Sequence, residues 1–250
     1  MMHTSWEWPT THAYVLSNGD KKIIFQWLHH IWTREYYSEI RSHLDQKRWE
    51  GYATVLLERL GTWTIENEKI FARATGYDDE RDEIWQSLRE SNGLIKQGYR
   101  FLLRDFSGYQ YEYVDMSIDE IIQKAQTRYP DILQEYGSTQ SWKWEESTFW
   151  GYISRNITPL GQRYFSSFVI FAFFFTPKVD ISTPKEENIT ADLELNYRDE
   201  HLAEKLLDSP EKKILVLYGE WHIPGIYRNL RNVDPRWQLL ETKEFRVFRK

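Results

Sequence analysis

Two histidines, His30 and His222, sit in similar surroundings near opposite ends of the chain. Each follows a lysine pair, an isoleucine and an apolar run, and each is followed by an isoleucine and a helix-like pattern. The stretches read KKIIFQWLHHIW from Lys21 and KKILVLYGEWHIPG from Lys212. The spacing from the lysine pair differs by one residue, so the two are self-similar without being a strict repeat. Two neutral imidazoles and a carboxylate make a ligand set for a divalent transition ion with an open position. Such an ion acidifies its bound water and polarises a carbonyl. Glu58 closes the apolar run Tyr52 to Leu57 and supplies a carboxylate, while Arg198 is a fixed cation suited to an oxyanion or carboxylate. Each residue also has a plainer role open to it. His222 can hydrogen-bond its own turn, Glu58 can be a solvated surface carboxylate, and Arg198 can pair with Asp199 or Glu200.

The elements that must position these groups are legible in part. Ile214 to Tyr218 reads as a strand buried on both faces, ended by Gly219, with Pro224 in the first turn of the following helix. His222 therefore falls at the carboxyl end of a strand, where open α/β sheets place their ligands. His12 to Leu16 and Lys22 to Trp27 are strand-like and are joined through Ser17-Asn18-Gly19-Asp20, a hairpin signal. Thr33 to Trp49 has helical spacing and Tyr52 to Leu57 is a second buried strand. That β-α-β unit should be parallel and right-handed, bringing Glu58 level with His30 and turning His29 away.

Further along, Ile65 to Ala74 and Glu80 to Leu94 have amphipathic helical patterns, and a short strand should end near Asp115. Ser117 and Glu120 have capping-box spacing, so a helix starts there and runs to about Tyr129, with Asp115 fixing the turn or supporting a ligand. Ala191 to Leu195 reads as a short strand and Arg198 to Leu207 as a helix. Trp237 to Glu241 and Phe245 to Phe248 read as a closing hairpin. The aromatic stretch Ser141 to Tyr152 is expected to cover the domain edge, and Thr176 to Asn188 to form an exposed loop. Phe168 to Phe175 is too short to span a membrane, which takes about 20 residues. It reads as one end of a core helix, with a membrane-surface or dimer contact as the lesser reading.

Composition narrows the function classes. The 250 residues, 41% of them hydrophobic, are enough for one α/β domain with a sizeable core. The aromatic content of 16% is heavy, and the polar ends of Tyr and Trp favour the core boundary or a groove. A net charge of −6 disfavours a nucleic-acid partner, which needs a basic face. The absence of cysteine removes disulfides, thiolate metal sites and cysteine nucleophiles. No Gly-rich phosphate loop, nucleophile elbow or His-Glu-x-x-His helix is present. The first residues lack the basic and apolar regions of a signal peptide, so a cytoplasmic location is expected.

Taken in order, several short motifs resemble those of the TraB/PrgY/Tiki group, related more distantly to ChaN and the erythromycin esterases. Gly219-Glu220-Trp221-His222 fits the group's Gly-x-x-His signature, and Phe25 to Tyr37 is similar to its first histidine motif with the following helix. Leu56-Leu57-Glu58 resembles the acidic residue that ends the next strand. Val114-Asp115-Met116-Ser117 resembles the central "aDvS" stretch, and Asn196-Tyr197-Arg198-Asp199 the Arg-containing motif. Trp27 departs from the pattern, standing where the first Gly-x-x-His has glycine, and would narrow or abolish the site.

The resemblance implies a single domain over residues 1–250, with a mixed, largely parallel central sheet flanked by helices, like that of the erythromycin esterases and ChaN. The Tiki branch implies a metal-dependent, peptidase-like hydrolase acting on a peptide or small molecule. His30, Glu58 and His222 would then hold manganese, cobalt or zinc, Arg198 would face the oxyanion, and Trp27, Gly219 and Glu220 would adjoin the substrate. The esterase branch implies a metal-free variant with histidine as general base. The ChaN branch implies haem or iron binding and the TraB/PrgY branch sequestration of a peptide pheromone; Trp27 favours such a non-catalytic binder.

Overall fold

Lys213–Leu217, strand β7, is the strand to which both halves of the chain attach. Ile214, Leu215, Val216 and Leu217 are all fully buried, as expected of a strand covered on both faces. Each such side chain contributes about 1.5–3 kcal/mol relative to an exposed one. β7 pairs in parallel with β2 (Lys22–Gln26) on one side and with β4 (Thr54–Leu57) on the other. The computed structural model describes residues 10–28, 31–75, 95, 96, 98–137 and 180–246. The expectations for His29, His30, Glu80 to Leu94, Ser141 to Tyr152 and Phe168 to Phe175 lie outside the described residues.

The sheet has six strands in the order β6-β4-β7-β2-β1-β8. β6 (Gln110–Tyr113) is parallel to β4, so four neighbouring strands run the same way. β1 (Thr10–Ser17) and β8 (Gln238–Arg246) complete the sheet in antiparallel pairing, making it mixed but largely parallel. β1 and β2 form the expected hairpin. Gly19 takes φ +93°, and the Ser17 and Asn18 side chains accept N–H groups of the turn. A separate two-stranded pairing joins β3 (Ile31–Trp32) to β5 (Ile95–Lys96).

Helices cover both faces. On one lie α1 (Arg34–Trp49), capped by Thr33, and the short α3 (Tyr99–Leu102); α2 (Ile65–Thr75) lies off the sheet. Tyr36, Tyr37, Ile40 and Leu44 of α1 pack with Val15, Ile24, Leu57 and Leu215. α4 (Ile118–Arg128) begins at the expected capping box of Ser117 and Glu120 and is followed by α5 (Ile132–Gly137). With α2, these helices enclose a satellite core of Ile70, Phe71, Ile121 and Ile122. The other sheet face carries α7 (Tyr197–Asp208) and α8 (Ile223–Val233). Leu202, Leu206, Ile226 and Leu230 of these helices meet Ile23, Phe25, Ile214 and Val216.

Two sequence expectations are corrected. Ala191 to Leu195 is helical, running through α6 (Ile189–Ala191) into a π-helical turn at Asp192–Asn196. The apolar alternation of Ala191, Leu193 and Leu195 imitates a strand, but Asn188 caps the segment by accepting the Ala191 N–H at 2.8 Å. The closing hairpin is instead the single strand β8, paired along β1 from Ser17↔Gln238 to Thr10↔Arg246. Thr242-Lys243-Glu244 holds no Gly, Pro or Asn to turn the chain, and its polar residues suit the sheet edge.

α1 meets β8 through His43, whose ring packs on Phe245 at 5.0 Å and whose Nδ1 lies 3.1 Å from Lys243 Nζ. Burial, then Lys243 and Lys47, lowers its pKa from 6.5 to about 4. A folded-state pKa below the unfolded one favours the unfolded chain as protons are added. Stability should therefore fall as pH drops from about 6.5 and be fully reduced near pH 4, by on the order of 3 kcal/mol. Denaturation midpoints across that range should be flatter in His43→Phe than in the parent protein, once the changes from carboxylates common to both are subtracted.

Candidate active site

The carboxyl ends of β4 and β7 place Glu58 and Gly219 side by side. The Glu58 N–H continues the ladder to Leu217 O at 3.0 Å, and its carboxylate turns to the chain leaving β7. Oε2 accepts the Gly219 N–H at 2.7 Å and Oε1 accepts Arg198 Nη2 at 2.7 Å. The Tyr99 hydroxyl donates to the Glu58 carbonyl. Glu58 is thus fixed from several directions and is not a freely solvated surface carboxylate.

Arg198 comes from the first turn of α7. Its guanidinium forks onto Asp115, with Nε to Oδ1 at 2.8 Å and Nη2 to Oδ2 at 2.6 Å, while Nη1 donates to Glu194 O. With the Glu58 contact, four of its five N–H groups are engaged. Asp115 has a fully buried side chain and also accepts from the Tyr218 hydroxyl at 2.7 Å and from the Met116 N–H. It fixes its turn, as expected, and it also neutralises the arginine. Burial works against the cation, but Tyr218, Asp115 and Glu58 outweigh it and hold the Arg198 pKa well above its usual value. Arg198 pairs with Glu58 and Asp115, not with its neighbours Asp199 or Glu200.

His222 ends a 3-10 turn, Glu220–His222, that feeds α8. Its Nδ1 lies 2.6 Å from Asp199 Oδ1, and its Nε2 faces Glu58 Oε1 at 3.9 Å. The Tyr218 ring meets the imidazole edge-on, with centroids 4.7 Å apart. Burial, then the Arg198 charge, pushes the His222 pKa well below the ordinary histidine value, so the imidazole is neutral. Burial pushes Asp199 well above the usual carboxylate range.

Of the residues singled out from the sequence, Glu58, Arg198, His222 and Gly219 share this cluster. His30 lies outside the described residues. Trp27 directly follows Gln26, the register partner of Leu217, and is half-buried at the same sheet edge. Its N–H donates to His12 O. The Glu220 carboxylate is directed to β1, taking the Tyr14 hydroxyl at 2.5 Å and His12 Nδ1 at 3.0 Å. This buried contact fastens the Gly219–His222 turn to the sheet. Asp115 and Asp199 enter as partners of Arg198 and His222, a role that sequence reasoning did not give them. Asp115 was visible as a residue fixing its turn or supporting a ligand, and Asp199 as a neighbour of Arg198.

Among the described residues no group of three or more His, Asp or Glu is arranged to hold a metal ion. His222 Nε2 and Glu58 Oε1, 3.9 Å apart, stand slightly wider than the roughly 3.3–3.6 Å of two tetrahedral ligands at about 2.0–2.2 Å, and Oε1 already accepts from Arg198. A carboxylate behind the opposite ring nitrogen is the usual support of a ligating histidine. The remaining expected donor is His30. Among the described residues no helix is long and apolar enough to cross a membrane.

Asp115→Ala leaves Arg198 buried against Glu58 alone and removes the acceptor of Tyr218. It should cost about 3–5 kcal/mol in urea denaturation, the usual result of breaking a buried ion pair. Tyr218→Phe, which removes only one hydrogen bond to a charged group, should cost about 1.5–3 kcal/mol. No protein-family model, no curated protein and no solved structure matches this chain.

Proposed function

We propose that the chain is a hydrolase that activates water between His222 and Glu58 for attack on the carbonyl of a peptide-like amide or an ester. The observation that carries this reading is the 3.9 Å separation of His222 Nε2 from Glu58 Oε1, each held from behind by a charged or polar side chain. A water between them can pass a proton to the neutral imidazole while Glu58 orients it, a general-base arrangement. Arg198 then serves to hold and orient Glu58. The resemblance to the TraB/PrgY/Tiki group and to the erythromycin esterases supports the same reaction class.

His222 and Glu58, joined by His30, are the residues that would hold a divalent ion such as manganese, cobalt or zinc. When bound, the ion would supply a more acidic water and a polarised carbonyl. The carboxylate of Asp199 behind the His222 ring favours this form. A second reading, a non-catalytic binder of a peptide or of haem or iron, is favoured by the bulk of Trp27 at the same sheet edge.

Cleavage of a peptide library and of chromogenic esters tests the proposal, with chelated protein and with manganese, cobalt or zinc added back. His222→Gln and Glu58→Gln should each lower turnover by about 10²-fold or more while leaving the protein folded. Turnover that vanishes on chelation and returns with one ion assigns the metal form; turnover untouched by chelation assigns the metal-free form. Absence of cleavage under every condition, with visible absorbance after haem addition, would overturn the hydrolase in favour of the binder.

A further inference from the structure

We propose that Asp199 is a positioning residue for His222, and that the first turn of α7 sets both reacting groups at once: Arg198 holds Glu58 and Asp199 holds the imidazole. The inference rests on the hydrolase reading and concerns the same site. Adjacent residues of an α-helix are about 100° apart around its axis, so two neighbours rarely serve one cluster. Here Asn196, Tyr197, Arg198 and Asp199 are all buried. The long Arg198 side chain spans that angle, and a π turn leads into the helix. The Tyr197 N–H bonds to Asp192 O, five residues back, and widens the turn. Arg198 Nη1 bonds to the Glu194 carbonyl, tying the guanidinium back to that turn.

Asp199 reaches His222 because α8 has a gap opposite it. A Cβ at Gly225 would stand 1.8 Å from Asp199 Oδ2 and 2.7 Å from its Cγ, distances no neighbouring side chain could absorb without moving. Gly225 lies inside α8, where glycine costs up to about 1 kcal/mol relative to alanine. Its presence makes sense as room for the carboxylate. Oδ1 is then left at 2.6 Å from His222 Nδ1, and the Tyr218 ring stops the imidazole from swinging about that bond. The ring is thereby aimed so that Nε2, and not Nδ1, faces Glu58.

Proton NMR of protein labelled with ¹⁵N-histidine tests this without a substrate. The parent protein near neutral pH should show one far-downfield proton shared between Asp199 and His222, identified by its loss in His222→Gln. That resonance should disappear in Asp199→Ala and also in Gly225→Ala, which leaves both partners chemically intact and displaces only the carboxylate. Asp199→Ala should in addition lower ester or peptide turnover by about 10–100-fold, the usual effect of losing such a support. If either variant fails to fold, the parent protein and His222→Gln still decide. A parent spectrum without the shared proton, or one unchanged by removing or displacing Asp199 in a folded variant, overturns the proposal. A shared proton in a protein that cleaves nothing would count against the hydrolase and leave the positioning role standing.

Discussion

A guanidinium removed from water must be neutralised and hydrogen-bonded where it lies, and Arg198 imposes that demand on everything around it. Asp115 and Glu58 meet it with three contacts of 2.6–2.8 Å, and a backbone carbonyl takes a fourth. The two carboxylates come from the ends of neighbouring parallel strands, β6 and β4, and the arginine from a helix on one sheet face. Sheet and helix are thus registered to one another by an ion cluster as well as by the apolar contacts of Leu202, Leu206 and Val216. Glu58 keeps one carboxylate oxygen within reach of His222 because this network prevents it from turning elsewhere.

A second polar fastening lies on the opposite side of the same turn. Glu220 is buried against Tyr14 and His12, while Gly219 and His222 face Glu58. Within four residues the chain therefore makes one attachment to β1 and another to the reacting cluster. The intervening Trp221 is exposed, so the turn is held by its polar residues and not by its aromatic one. A Cβ at Gly219 would make only ordinary contacts with His222 and Glu58, so this glycine matters for its N–H and not for space. Gly225 is the opposite case.

Much of the frame was readable in the sequence because it depends on local chemistry. Asn18-Gly19 specified the hairpin, Ser117 and Glu120 the helix start, and the apolar run before Gly219 the central strand. Glu58 and His222 could be placed at one sheet edge because parallel strands end together. The pairing of Asp199 with His222 could not be read, since it depends on the rotation of a helix about its axis. The π turn that leads into this helix was hidden as well, because Ala191, Leu193 and Leu195 alternate as in a strand. Asp115 was visible as a turn residue, but its role as counter-ion arises only when α7 is laid across the ends of β4 and β6. The single strand β8 was divided in the sequence reading by three polar residues that sit comfortably at an edge.

The π turn at Asp192–Asn196 also bears on how this chain tolerates insertions and deletions. It is in effect one surplus residue in an otherwise α-helical run. Losing one residue there would restore regular helix at little cost to the backbone and would leave α7 facing as it does, because the residues of a π turn wind about as far as one fewer residue of α-helix. Arg198 and Asp199 would keep their places in the cluster, and with them the supports of Glu58 and His222. The same deletion within regular helix would turn everything beyond it by about 100°, so this turn is a place where the chain can shorten by one residue and keep its site.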